Sequence, residues 1–174
     1  YSAVETLRTD KRPFFTENQS LFDVRGPNNL KLLNTRRIVA NAALDTSKVH
    51  DISAAGKYVV NGRSFSTGVL FADERDAVAD DGKQFVSGRW YASMDSLNFG
   101  QLINWVDNPV DNRTSLVFNQ DVRYLASDYL NLSANLLYSR NNDDVDNSNG
   151  KGATFKLNYV PVRHWQNNVE WTYF

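Results

Sequence analysis

The chain of 174 residues contains no cysteine, and it has only two histidines and four prolines. Without cysteine there is no disulfide framework, no thiolate zinc site and no cysteine nucleophile. No run approaches the roughly 18 consecutive apolar residues that a membrane-spanning helix needs. The histidines, His50 and His164, lie far apart in the sequence, so no histidine pair has the spacing of metal ligands.

An excess of charge of one sign is also missing, because 19 basic and 20 acidic side chains give a formal net charge of -1. No basic stripe is present, so we do not expect nucleic acid as a partner. Aromatic side chains, in contrast, make up 13% of this otherwise polar chain. Many large rings in a polar sequence are typical of a barrel that presents apolar side chains to lipid and polar ones to a lumen.

From about residue 49 onward, apolar and polar side chains alternate, which is the period of a β-strand. In residues 130–139, for example, Leu132, Leu136 and Tyr138 share one face of the predicted strand, and Asn131 and Ser133 share the other. The alternation excludes helix for most of the chain. We predict strands at 34–45, 49–61, 63–73, 84–94, 96–106, 113–124, 128–139, 151–160 and 163–174.

The connections between these strands alternate between tight and long. Tight joins are expected near residues 61–62 and at 94–96, 125–128 and 161–163, and longer polar joins at 73–83, 107–112 and 140–150. This pattern, with strands of about 10–12 residues, predicts an antiparallel transmembrane up-and-down β-barrel with short periplasmic turns and longer extracellular loops. The alternative is a soluble antiparallel barrel or sandwich whose core is the apolar face, although soluble strands average about 5–6 residues.

The strand count predicts that this chain is part of a larger barrel. Closed bacterial barrels normally have an even number of strands, whereas nine are predicted here and the last one would end at the outer rim. The final strand also lacks the usual pattern of a terminal barrel strand, in which the last aromatic residue lies on the apolar face. Phe174 shares its face with Glu170 and Thr172, and not with Trp171 and Tyr173.

A segment without strand or helix period precedes the strands, and its residues match a known pattern. The motif is carried by Lys11, Arg12, Pro13, Phe14, Phe15, Glu17, Asn18 and Phe22, with Arg36, Arg37 and Ile38 following. It resembles a family of large Gram-negative outer-membrane proteins in which a periplasmic carbohydrate-binding family 9-like domain precedes a β-barrel of unassigned function. That domain has no counterpart in this chain. The resemblance implies a plug or lead-in segment at 1–33 on the periplasmic side, barrel strands within 34–174, and location in the bacterial outer membrane.

The candidate site residues fall into two groups. Plug or constriction candidates are Lys11, Arg12, Phe14, Phe15, Glu17, Arg36 and Arg37, and lumen-lining candidates are Arg89, Arg123, Asn131, Lys156 and Glu170. In the first group we favour a plug held by internal salt bridges, with Glu17 paired to Arg12, Arg36 or Arg37, because the opposite charges would neutralise one another. The alternative is that these charges line a constriction and select solutes.

No catalytic constellation can be named. The acidic stretch at 141–150 lacks the glycine and glutamate positions of an EF-hand loop, and His164 lies about 20 Å along the strand from Glu170. We therefore expect no enzyme activity, no cofactor and no metal site. The expected partners are outer-membrane lipid and lipopolysaccharide, and other outer-membrane or periplasmic subunits.

The expected function is that of a pore or transport-associated channel for small solutes or oligosaccharides. Two alternatives stay open. One is a non-conducting structural or assembly component of an outer-membrane complex, and the other is a soluble β-barrel ligand-binding protein.

Overall fold

A computed structural model describes residues 12–17, 19–33, 35, 38, 50–76, 82–109, 111–144, 147–162 and 164–174. These residues form one eight-stranded antiparallel sheet in which each strand pairs with its neighbours in the sequence. The strands are β1 (His50–Asn61), β2 (Phe65–Asp76), β3 (Gln84–Met94), β4 (Leu97–Asn108), β5 (Arg113–Ser127), β6 (Leu130–Asn142), β7 (Asn147–Val162) and β8 (Trp165–Tyr173). Within the described residues β1 and β8 do not pair with each other, so the sheet is an open up-and-down meander.

Eight of the nine predicted strands have a counterpart in this sheet. The β3 prediction has the same bounds as the strand, and short joins at 95–96, 128–129 and 163–164 alternate with longer ones. The predicted strand at 34–45 falls almost entirely outside the described residues. Thr35 and Ile38, which are described, lie in turns and not in a strand.

The two faces of the sheet differ in chemistry. Residues that pair across neighbouring strands lie on the same face, so the register assigns every strand residue to one side. One cross-strand row consists of Tyr58, Val69, Gly88, Ile103, Phe118 and Tyr138. We call the side that carries this row the apolar face. Another row consists of Asn61, Ser66, Tyr91, Gly100 and Asp121, and we call its side the polar face.

The described residues from 12 to 38, namely 12–17, 19–33, 35 and 38, lie against the polar face, and from here on the name lead-in segment means these residues. The segment contains a short helix, α1 (Pro13–Thr16), and 3-10 turns at Gln19–Leu21 and Pro27–Asn29. Pro13 occupies the start of α1, where a helix tolerates its missing N–H. An isolated bridge between Arg25 and Lys31 folds the middle of the segment back on itself.

The hydrophobic core lies between the lead-in segment and the sheet. It comprises Phe15, Phe22, Val24 and Ile38 from the segment and Leu70, Ala72 and Leu102 from β2 and β4. These three strand residues form an apolar patch on the polar face, and Phe85 of β3 packs beside them. The apolar face, in contrast, keeps large side chains exposed from β1 to β8, such as Tyr58, Trp90, Leu136 and Trp171.

Candidate functional site

Arg12 fixes the two ends of the lead-in segment to each other. Its guanidinium donates hydrogen bonds to the main-chain oxygens of Thr35, at 2.8 Å, and Ile38, at 3.1 Å. The same group lies 4.3 Å from the centre of the Phe15 ring. Arg12 therefore acts as a clamp between the start and the end of the described segment.

Lys57 of β1 holds the C-terminal end of α1. Its ammonium donates hydrogen bonds to the main-chain oxygens of Phe14 and Glu17, where the helix leaves carbonyl groups without helical partners. The ammonium also lies 5.2 Å from the centre of the Phe14 ring. The contact that Glu17 makes here uses its main chain, and the predicted salt bridge of its carboxylate with Arg12 is not among the contacts of the described residues. Three more of the predicted plug candidates, Lys11, Arg36 and Arg37, fall outside the described residues.

Asparagines of the polar face hold the rest of the segment through its main chain. Asn104 donates to the oxygen of Leu32 at 3.0 Å, and Asn135 donates to the oxygen of Arg25 at 3.2 Å. Asn104 itself accepts a hydrogen bond from Ser87 at 2.6 Å. These contacts attach the segment to β4 and β6 with hydrogen bonds in addition to apolar packing.

Glycine allows the segment to approach the sheet closely at β2. A Cβ atom at Gly68 would lie 2.9 Å from side-chain carbons of both Leu21 and Phe22. Any larger residue there would push these two anchors away from the sheet.

A cavity of about 400 Å³ lies between the segment and one end of the polar face. Four of its wall residues, Asn61, Ser66, Tyr91 and Asp121, belong to a single cross-strand row of the sheet. The segment contributes Ser20, Leu21, Asp23, Val24 and Arg25, and Arg89 of β3 completes the lining. The cavity therefore has charged and polar groups on both of its walls.

The charged groups of this cavity are paired within each wall. Arg89 donates from Nη1 and Nη2 to the two carboxylate oxygens of Asp121, at 2.6 and 3.0 Å. On the segment, Nε of Arg25 lies 3.4 Å from the Asp23 carboxylate. Arg89 and Asp121 are largely buried, whereas Arg25 and Asp23 are nearly half exposed.

The five lumen-lining candidates all lie on the polar face but not at one point. Arg89 is in the cavity wall, while Arg123 donates to Asn131 at 3.2 Å and Lys156 pairs with Glu170 at 3.1 Å. Asn131, Lys156 and Glu170 line a second cavity of about 390 Å³ at β6 to β8.

Sequence reasoning missed the residues that organise the first cavity. Asp121, Gly100, Asn104 and Asn135 were not among the candidates. A single strand's pattern gives the face of a residue, but the pairing register decides which residue lies beside it.

Among the described residues, no three histidine or acidic side chains gather closely enough to hold a metal ion. Within those same ranges, no helix is long and apolar enough to cross a membrane.

The carboxylate of Asp144, in the acidic stretch, accepts a hydrogen bond from Asn112, and this contact joins two of the longer connections. Comparisons with protein-family models, curated proteins and solved structures found no match.

Proposed function

We propose that this chain forms a sector of a transmembrane β-barrel of a bacterial outer membrane, in which the polar face lines the lumen and the lead-in segment lies inside it. In this role the barrel is a pore or transport-associated channel for small solutes or oligosaccharides. The likeness of residues 11–22 and 36–38 to the lead-in of an outer-membrane barrel family is one reason for the proposal.

The proposal rests on which face of the sheet the lead-in segment covers. The lead-in segment covers the polar face, and the apolar face is left with many exposed large side chains, including Leu136, Trp165 and Trp171. A soluble barrel would use its most apolar face as the core and would cover that face first. A barrel in lipid needs the opposite arrangement, because its apolar face meets hydrocarbon.

Strand length and aromatic placement also support a membrane role. The strands range from 9 residues in β8 to 16 residues in β7, which meets or exceeds the roughly 9–11 that cross a bilayer at a tilt. Tyr124, Tyr159 and Trp165 lie near strand ends on the apolar face, where interfacial aromatic rings anchor a barrel in the membrane.

The test has two stages. The protein that contains this chain together with the rest of the proposed barrel is expressed and separated into membrane and soluble fractions, and we expect detergent to be required for its extraction. It is then reconstituted into planar bilayers, where we expect discrete single-channel currents. Quantitative extraction into buffer without detergent would replace the membrane assignment with a soluble β-barrel ligand-binding protein.

A second candidate function is a non-conducting structural or assembly component of an outer-membrane complex. It is favoured by the extent of the lead-in segment, which contacts the sheet from Lys57 on β1 to Gly152 on β7. A barrel obstructed in this way would insert in bilayers and pass no current. Loosening the segment at Phe22 would then produce current, whereas a conducting native barrel would show current without any substitution.

A further inference from the structure

We propose that the cavity between the lead-in segment and the end of the polar face is a binding site for a small zwitterionic solute, of the size of an amino acid or a dipeptide. The proposal adds a ligand site to the chain and does not require that the barrel conducts. It rests on the arrangement of charge, on hydrogen-bonding capacity and on the size of the cavity.

The segment wall supplies the group for a carboxylate. Arg25 lines the cavity, and its ion pair with Asp23 uses Nε. Its Nη1 and Nη2 atoms make no hydrogen bond within the described residues, and the side chain is nearly half exposed. The two terminal nitrogens of a guanidinium form a planar fork that matches the two oxygens of a carboxylate.

The sheet wall supplies the group for an ammonium. Asp121 receives one hydrogen bond from Arg89 on each carboxylate oxygen, which leaves about half of the roughly four acceptor positions of a carboxylate. About a third of its side chain is exposed, whereas that of Arg89 is buried. Arg89 thus holds Asp121 in a fixed orientation in the wall while Asp121 keeps capacity to accept a further donor.

The balance of charge argues against ligands that carry a single charge. Two guanidinium groups and two carboxylates line the cavity, so its formal charge is zero. A solute with both an ammonium and a carboxylate can pair with Asp121 and Arg25 together, whereas an anion or a cation gains only one of these two interactions. A two-point match of this kind is the usual origin of charge specificity in a small site.

The remaining lining fits the body of such a molecule. Tyr91, Leu21 and Val24 offer apolar contact, and Asn61 and Ser66 offer neutral hydrogen-bonding groups. A volume of about 400 Å³ lies at the lower end of the roughly 300–1,000 Å³ of small-molecule sites. That volume suits a solute of amino acid or dipeptide size better than a large ligand.

The test compares three probes by isothermal titration calorimetry with the full chain in detergent at neutral pH and constant ionic strength. Glycylglycine carries both charges, N-acetylglycine carries only the carboxylate, and glycinamide carries only the ammonium. We expect glycylglycine to bind at least about tenfold more tightly than either analogue, because each analogue loses one charge-assisted interaction. No binding of glycylglycine, or equal binding of the three probes, would overturn the proposal.

Two pairs of variants locate the site. Arg25→Gln should weaken glycylglycine binding about tenfold or more, and Lys31→Gln, which removes a cation from the paired position of the same turn but outside the cavity lining, should not. Ser66→Leu should abolish binding by filling the cavity, and Ser133→Leu, on the same face but outside this cavity, should leave it intact. Equal effects within either pair contradict the assignment. Binding is measured without a membrane potential. Glycylglycine can therefore bind to a barrel that gives no single-channel current, and a barrel that conducts can fail to bind it, so the two proposals are tested separately.

Discussion

The guanidinium of Arg89 on β3 lies over Gly100 on β4 and reaches Asp121 on β5, with donor–acceptor distances of 2.6 and 3.0 Å. Gly100 makes this reach possible, because a Cβ atom there would lie 2.2 Å from Nη2 of Arg89. The pair therefore links β3 and β5, which are not neighbours. Gly100 of β4, the strand between them, has no side chain to block the guanidinium. Arg89 is 6% exposed, so the arginine end of the link is buried, whereas the side chain of Asp121 is 30% exposed.

We expect Gly100→Ala to destabilise the fold by about 1–3 kcal/mol, because the methyl group displaces the guanidinium and leaves a buried charge with poorer hydrogen bonds. The free energy of unfolding from urea titration measures this effect. Gly88→Ala is the matched control. Gly88 lies in the adjacent strand, β3, and a Cβ atom there meets nothing within 4 Å, so this change should be neutral or slightly stabilising.

If Gly100→Ala acts through the pair of Arg89 and Asp121, the free energy of unfolding that it removes should depend on Asp121. In an Asp121→Asn background, where the charge pair is already lost, adding Gly100→Ala should cost clearly less than it does alone. If the two costs simply add, the methyl group acts by another route and the role assigned to Gly100 is wrong.

We expect Phe22→Ala to release the lead-in segment from the polar face. Phe22 is 2% exposed and packs against Leu21 and the surface of Gly68, so truncation should cost about 3–5 kcal/mol of segment docking. Limited trypsin digestion measures the release, since cleavage after Arg25 or Lys31 requires that the bridge between them opens. Cleavage there should become much faster in the variant.

The control for Phe22→Ala is Phe14→Ala. Phe14 belongs to the same segment but is 37% exposed, so its truncation should accelerate cleavage far less. Equal acceleration in both variants would show that the segment is held by its main-chain contacts to Lys57, Asn104 and Asn135, and not by the buried ring.

We expect Leu136→Arg to separate a membrane environment from an aqueous one. Leu136 is 55% exposed near the middle of β6 on the apolar face. An arginine facing lipid at the bilayer midplane costs about 2–4 kcal/mol, whereas at an exposed site in water the change is within about 0.5 kcal/mol. Urea titration of the complete barrel that contains this chain, folded in phosphatidylcholine vesicles, gives the free energy of unfolding.

Ser139→Arg is the control for Leu136→Arg, because it places the same side chain on the polar face of the same strand. It should change stability by no more than about 1 kcal/mol. If Leu136→Arg is equally mild, the apolar face does not meet hydrocarbon and the proposed barrel is wrong.

The strands could be predicted from sequence because alternation is a property of each strand taken alone. Leu132 and Leu136 were assigned to one face and Asn131 to the other, and the register of β6 places them so. In β3, the aromatic residues Phe85 and Tyr91 depart from strict alternation, because both lie on the polar face. Tyr91 lines the cavity and Phe85 packs against the core, so the interruption marked where the lead-in segment covers the sheet.

The candidate site was less predictable because it depends on contacts between distant parts of the chain. Nothing in the local sequence relates Arg25 to Asn135, which are 110 residues apart and joined by a hydrogen bond. For the same reason, opposite charges within one segment favoured an internal salt bridge of Arg12 with Glu17, whereas the described contacts of Arg12 include main-chain oxygens. Carbonyl groups of turns are acceptors that a sequence pattern does not display.

We expect Glu170→Gln to shift the ion selectivity of the proposed channel. Glu170 lies on the polar face and pairs with Lys156 at 3.1 Å, and both side chains are about half exposed, so stability should change by less than about 1 kcal/mol. Removing this carboxylate leaves Lys156 and Arg123 as unbalanced positive charges on that part of the wall. The reversal potential of single-channel currents in a salt gradient should therefore move toward anion selectivity.

Asp95→Asn is the control for the loss of one negative charge, since Asp95 lies in the tight turn between β3 and β4 and not on the polar face. Asp95 has a positive φ of 39°, which asparagine adopts readily, so the fold should be retained. The reversal potential should stay where it is in this variant. If Glu170→Gln moves it no further than Asp95→Asn does, the carboxylate at position 170 is outside the conduction path, and the β6–β8 part of the polar face does not line a lumen.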